Sequence, residues 1–285
     1  MSIRISRKRL EEINRLLAEK DRDILRSLQI GRYMVTSQIK RLHYTNHASD
    51  LAALRATNRG LVKLQRYGLI GCLERRIGGV RAGSGAYVWL LTEAGDRLLH
   101  MNNTDDKPRK RFFEPSPAFL EHTLAVSESY VQIFDLCHKH NMKAEKVELE
   151  PDCWRIYADK YGRTAYLKPD LFSVIYNEKE NVEDNWFLEI DLETEAPSVV
   201  LEKCKRYIEY HNSGAEQKQS GGLFPLVVWI VKRKPRMETL RRYIADCPDF
   251  NQQAKSIFVV ITANEFETLL CGGLDALRKG DASND

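Results

Sequence analysis

The sequence predicts a two-domain chain of mixed α+β and α/β architecture, a basic helical domain followed by an α/β sandwich. Three observations predict it. At 285 residues the chain exceeds the usual size of one small domain. Residues 1–116 hold 23 Lys+Arg against 12 Asp+Glu, so a chain of net charge +4 joins a strongly basic start to an acidic remainder. Helical spacing dominates that start, whereas strand-like runs alternate with helices beyond residue 140. Such a split suits one part to polyanions and lets the other concentrate carboxylates.

The bulk composition excludes several classes. Hydrophobic content of 43% supports real cores. The six cysteines, Cys72, Cys137, Cys153, Cys204, Cys247 and Cys271, form no close pair. Neither a zinc spacing nor a disulfide framework is visible, and buried thiols in a reducing compartment are the expectation. No apolar run approaches the roughly 20 residues of a membrane helix, so a cytoplasmic protein without membrane contact is expected.

Residues 1–20 place Leu10, Ile13, Leu16 and Leu17 at helical spacing, for an added core helix or a homodimer contact. From 21 to 101 the pattern predicts a winged helix-turn-helix domain. Asp21 caps a helix through Ile24, Leu25 and Leu28, and a second helix begins near Thr36. A third, from Ser49 to Tyr67, carries Leu51, Leu54, Leu61 and Leu64 on its apolar side. Arg55, Arg59, Lys63 and Arg66 recur on the other side at spacings of four, four and three. Two strands, 69–76 and 87–91, then flank a glycine-rich tip, 78–85, with Arg75, Arg76 and Arg81 supplying the contacts of this hairpin, and Thr92 caps a closing helix. Three helices followed by a basic hairpin place the third helix in a DNA major groove and the hairpin on backbone or minor groove. Taken singly, each cation reads equally well as a solvated surface charge.

Residues 102–117, with three prolines and the cluster Lys107, Arg109, Lys110 and Arg111, read as a linker. The second domain, 118–275, opens on a helix from Ala118 to His140. Strands near 146–150, 153–158, 166–176 and 186–192, a helix from Pro197, and the apolar strands 226–231 and 257–261 follow, and 276–285 reads as a disordered tail. Asp170 begins or interrupts an apolar strand, and Glu189, Asp191 and Glu193 alternate with aliphatic residues on one strand face. Aligned acids repel unless they face water or a cation, so Asp170 and Glu189 are candidates to hold Mg²⁺ or Mn²⁺ for phosphodiester hydrolysis. A solvent-facing edge strand is the bland reading. On the next helix Lys203, Tyr207 and Tyr210 form one stripe, with Lys203 placed to assist the water or phosphate. The tyrosines read as core or rim residues, or as covalent nucleophiles.

Pro169-Asp170, Glu189-x-Asp191 and a helix with Lys203 resemble the PD-(D/E)xK nuclease fold, whose core is helix, three strands, helix, strand. Over about 21–275 the chain resembles the replication-relaxation family of plasmids and other mobile elements. The strings that carry this are Leu91-Thr92-Glu93-Ala94-Gly95, Glu121-His122-Thr123-Leu124, Lys168-Pro169-Asp170, Leu188-Glu189-Ile190-Asp191 with Glu195, and Lys203 with Tyr207 and Tyr210. The resemblance implies plasmid replication or DNA relaxation, with double-stranded DNA at a plasmid origin as partner and metal-dependent nicking as the reaction. Asp191 stands where the nuclease motif has lysine, making Lys203 the natural substitute and Lys168 or Lys205 lesser ones. Without such a lysine the domain would be an inactive relic in a non-catalytic initiator or transcriptional regulator.

Overall fold

The computed structural model describes residues 5–73, 86–101 and 114–282. The architecture mixes helices with several sheets, and the chain divides into two compact units, Met1–Asp135 and Leu136–Asp285.

In the first unit α1 (Arg7–Leu16) is capped by Ser6, whose hydroxyl accepts the Arg9 N–H. Leu10 and Ile13 are buried, but Leu16 faces solvent and Leu17, just past the helix, takes the inner position. α2 (Glu19–Gly31) begins two residues before the predicted cap. Asp21 sits in its first turn and its carboxylate reaches back to the Ala18 N–H at 2.8 Å, which an acid at the third helical position can do as well as a cap residue. β1 (Tyr33–Val35), α3 (Thr36–His43) and α4 (Asp50–Arg66) follow, the last capped by Ser49. β2 (Ile70–Cys72) and β3 (Val88–Leu91) pair antiparallel, and β3 also pairs with β1, giving the order β1-β3-β2. α5 (Glu93–Leu99) is capped by Thr92, whose hydroxyl accepts the Gly95 N–H.

α6 (Pro117–His140) crosses the division, and its residues up to Asp135 belong to the first unit. The Ser127 hydroxyl bonds to the carbonyls of Gly31 and Tyr33 at 3.1 and 3.0 Å. The Gln38 amide donates to the Leu124 carbonyl and to Glu128, and Arg41 pairs with Glu128 and Asp135. Leu120 joins Leu73, Val88 and Leu90 in one apolar cluster. Whereas the sequence places a boundary at 102–117, these contacts assign most of this long helix to the first unit.

The second unit is built on a five-stranded sheet of β4 (Met142–Leu149), β7 (Leu171–Asn177), β8 (Val182–Asp191), β9 (Leu226–Val231) and β10 (Phe258–Thr262), in the order β10-β9-β8-β7-β4. β8, β9 and β10 run parallel, while β4 and β7 are antiparallel additions. Val227 to Val231 are all buried, as a strand covered on both faces requires, and each such side chain contributes about 1.5–3 kcal/mol when removed from water. The predicted strand 166–176 is two. β5 (Arg155–Ala158) and β6 (Thr164–Leu167) make a separate hairpin, and the chain re-enters the main sheet as β7 after Pro169, which has no N–H for a ladder. α7 (Pro197–Ser213) starts on a proline in its first turn, and α8 (Ala215–Gln219) follows it. α9 (Lys234–Asp246) and α10 (Gln252–Ser256) precede β10. α11 (Phe266–Ala282), kinked at Gly273, runs into the segment from 276 that the sequence reads as a tail.

Candidate functional site

The two strands that carry acids bring them together because β7 and β8 are antiparallel neighbours. Leu171 pairs with Leu188, so Asp170, one residue before β7, lies level with Glu189. The Asp170 carboxylate accepts the Ile190 N–H at 2.8 Å, which holds it at the strand end. α7 lies over the face to which Phe187 and Glu189 point, and it contributes Val200, Cys204, Tyr207 and Tyr210 to the core there. From this helix Lys203 directs its ammonium onto Glu189 Oε2, with Asp170 Oδ1 at 3.9 Å. Tyr207 donates its hydroxyl to the other Glu189 oxygen at 2.5 Å. The Lys203 ammonium also lies 5.7 Å from the centre of the Trp229 ring on β9.

Glu189 is fully buried, Asp170 nearly so, and the Lys203 side chain keeps 29% of its exposure. Burial pushes the Glu189 carboxyl up to about 8, against the pull of Lys203 and with a further push from Asp170. Burial works against the Lys203 ammonium, but Glu189 and Asp170 outweigh it and its pKa is raised. The two shifts oppose each other, since a protonated Glu189 would hold Lys203 less well. The contact of one ammonium with two acids favours the charged lysine. The position between Asp170 and Glu189 is thus one that attracts a cation.

The other candidates lie elsewhere. Asp191 accepts from the Arg236 guanidinium at 2.5 Å and from the Glu193 N–H at 2.9 Å, so it ties the start of α9 to the end of β8. Glu193 lies beyond the strand at φ +64° and pairs with Arg233, so the predicted row of three acids ends at Asp191. Lys168 lies over the Trp154 ring and Lys205 pairs with Glu202 and Asp249, so neither makes the contact Lys203 makes. Tyr210 is buried and donates to Glu216, which also binds Arg155. Burial raises the pKa of both tyrosines, and both hydroxyls are committed to carboxylates. His122 lies on α6, in the first unit. Sequence reasoning missed Arg236 as the partner of Asp191, for which a separation of 45 positions leaves no spacing signal. It also missed the Tyr207–Glu189 bond, although the stripe that Tyr207 shares with Lys203 was visible.

In the first unit α4 buries Ala53, Thr57, Leu61 and Leu64. Leu51, predicted to be core, is exposed, and Val62 is exposed with it. Both lie on the face that carries Arg55, Arg59 and Arg66, which are exposed and make no ion pair with any described residue. Lys63 differs, since its ammonium lies 2.5 Å from the buried carboxylate of Asp21. Arg75, Arg76 and Arg81, and the basic cluster at 107–111, lie outside the described residues.

Fold and site together define an α/β protein with a carboxylate pair bridged by a lysine and a separate basic helix face. The replication-relaxation family model matches residues 25–227, and the chain belongs to that family. Membership points to a role in the replication or relaxation of plasmid or other mobile-element DNA. No curated protein and no solved structure matches the chain. No helix among the described residues is long and apolar enough to cross a membrane.

Proposed function

We propose that this is a DNA-binding protein of a mobile element that nicks DNA in a metal-dependent reaction at Asp170, Glu189 and Lys203. The observation that carries the reading is the meeting of two carboxylates from adjacent strands with the ammonium of the following helix. The order β4, β7, β8, α7, β9 supports a PD-(D/E)xK-like core, and the element order of the first unit supports a winged helix presenting α4 to double-stranded DNA.

The donor set suits a hard divalent ion, because two carboxylates already share a cation. Among the described residues no group of three or more His, Cys, Asp or Glu gathers, so Asp170 and Glu189 would leave further positions to water and phosphate. Bound there, Mg²⁺ or Mn²⁺ would activate a water and offset charge on the phosphate. Lys203, released from part of its hold on Glu189, would then turn its charge to the scissile phosphate. Tyr207 would hold one Glu189 oxygen in place, and Asp191 with Arg236 would keep α9 against the end of β8. Arg55, Arg59 and Arg66, with Arg75, Arg76 and Arg81 from the wing, would bind DNA phosphates or base edges, and Lys63 would join only by leaving Asp21.

One observation favours a second reading. Glu189 is fully buried with both oxygens bonded, as in a structural ion pair, which suits a non-catalytic initiator or regulator. Binding and cleavage separate the two. Asp170→Ala is expected to bind origin DNA like the parent and to lose nicking, whereas Arg55→Ala with Arg59→Ala is expected to weaken binding and flatten its salt dependence. Equal nicking by Asp170→Ala and the parent sinks the catalytic assignment.

A further inference from the structure

The hairpin of β5 and β6 stands outside the five-stranded sheet, and its composition breaks with its surroundings. Residues 153–168 carry four cations and one acid within the acidic remainder of the chain. Its inward side is explained. Tyr157 and Leu167 are buried in the core, and Arg155 pairs with Glu216. Its outward side is not. Ile156 and Tyr166, directly opposite each other in register, are 67% and 51% exposed, and Tyr161 at the turn is 70% exposed. Soluble surfaces rarely gather such groups without a partner.

Cations are interleaved with these rings. Lys160 and the Arg163 guanidinium lie 5.1 and 4.9 Å from the centre of the Tyr161 ring. Lys168 lies 4.2 Å from the Trp154 ring and 5.9 Å from that of Tyr166. Exposed rings offer planes to unstacked bases, and the cations beside them suit the phosphates between those bases. A duplex hides its base faces, so the matching ligand is an unpaired strand.

We infer that the outer face of this hairpin is a stacking platform for single-stranded DNA. Tyr161, Tyr166 and Ile156 meet the bases, while Lys160 and Lys168, with Arg163 once it leaves Asp159, meet the phosphates. The platform adjoins the acid pair along the chain, since β6 leads through Lys168 and Pro169 directly into Asp170. The Cys153 thiol donates to the Pro169 carbonyl at 3.0 Å and anchors the base of the hairpin there. Its place as the strand-holding part of the nicking site rests on the function proposed above, whereas binding itself is read without metal or cleavage.

The test is fluorescence anisotropy of the full chain with a labelled oligothymidine and a labelled duplex, in chelator. The Tyr161→Ala, Tyr166→Ala double variant is expected to bind the single strand about tenfold more weakly or worse. Its melting temperature and its duplex affinity are expected to match the parent's, because both rings are exposed. Binding read in chelator does not depend on cleavage, so a failed nicking reaction leaves this result standing. A double variant that holds the single strand as tightly as the parent overturns the inference, as does a parent that binds no single strand.

Discussion

A carboxylate taken wholly out of water must either gain donors or keep a proton, and Glu189 draws on both. Its two oxygens are met by Lys203 and Tyr207, and burial still lifts its pKa to about 8. The fold therefore favours the protonated form, a contribution present below the ordinary value near 4.5 and lost as pH rises through about 8. Tyr207→Phe removes the donor that helps the charged form. We expect that variant to lose about 1–3 kcal/mol of stability where Glu189 is ionised, and clearly less near pH 5. Urea midpoints of parent and variant at pH 5 and pH 9 check this, and an equal loss at both would contradict it. At this scale the acids and Lys203 were legible in the sequence, because strand alternation and the four- and three-residue helix steps put them on facing surfaces. What Asp191 does was not legible, since its partner Arg236 comes from a helix whose approach depends on the finished sheet.

The elements were legible where local chemistry decides them. Thr92 acts as the expected cap, and the continuous apolar run 226–231 is a doubly covered parallel strand. They were not legible where packing decides. Leu51 satisfies the apolar spacing of α4, yet Ala53 and Thr57 face inward beside Leu61 and Leu64, because the helix turns its small side chains to its neighbours. The strand expected over 166–176 is divided at Lys168-Pro169-Asp170, and the pairing of β6 with β5 places its first part in a separate hairpin. Gly95 shows why α5 can sit where it does. A Cβ there would run into the Leu69 carbonyl oxygen, a backbone atom that cannot swing aside, as well as into the Leu91 side chain. Gly95→Ala should therefore cost about 1–3 kcal/mol, although alanine is the better helix former. Thermal unfolding measures it, and an unchanged or raised midpoint would contradict the packing.

Across the whole chain, the charge split read from the sequence corresponds to two different kinds of surface. In the first unit Arg55, Arg59 and Arg66 share an exposed face of α4 with Leu51 and Val62. In the second, carboxylates are drawn inward and bridged by cations. The division at Asp135 could not be read from the pattern, because α6 is one unbroken helix and its ties to the first unit run to residues distant in the chain, such as those of Ser127 to the carbonyls of Gly31 and Tyr33. The central claim is that the acid pair and Lys203 cut DNA, and Asp170→Asn probes it with little disturbance. The amide oxygen can still accept the Ile190 N–H while the charge is gone. The measurement is conversion of supercoiled origin plasmid to open circles by parent and Asp170→Asn, in Mg²⁺, in Mn²⁺ and in chelator. Conversion by the parent in metal alone, abolished in the variant, is the result the account predicts. No conversion by a folded, DNA-binding parent, or equal conversion by the variant, would contradict it.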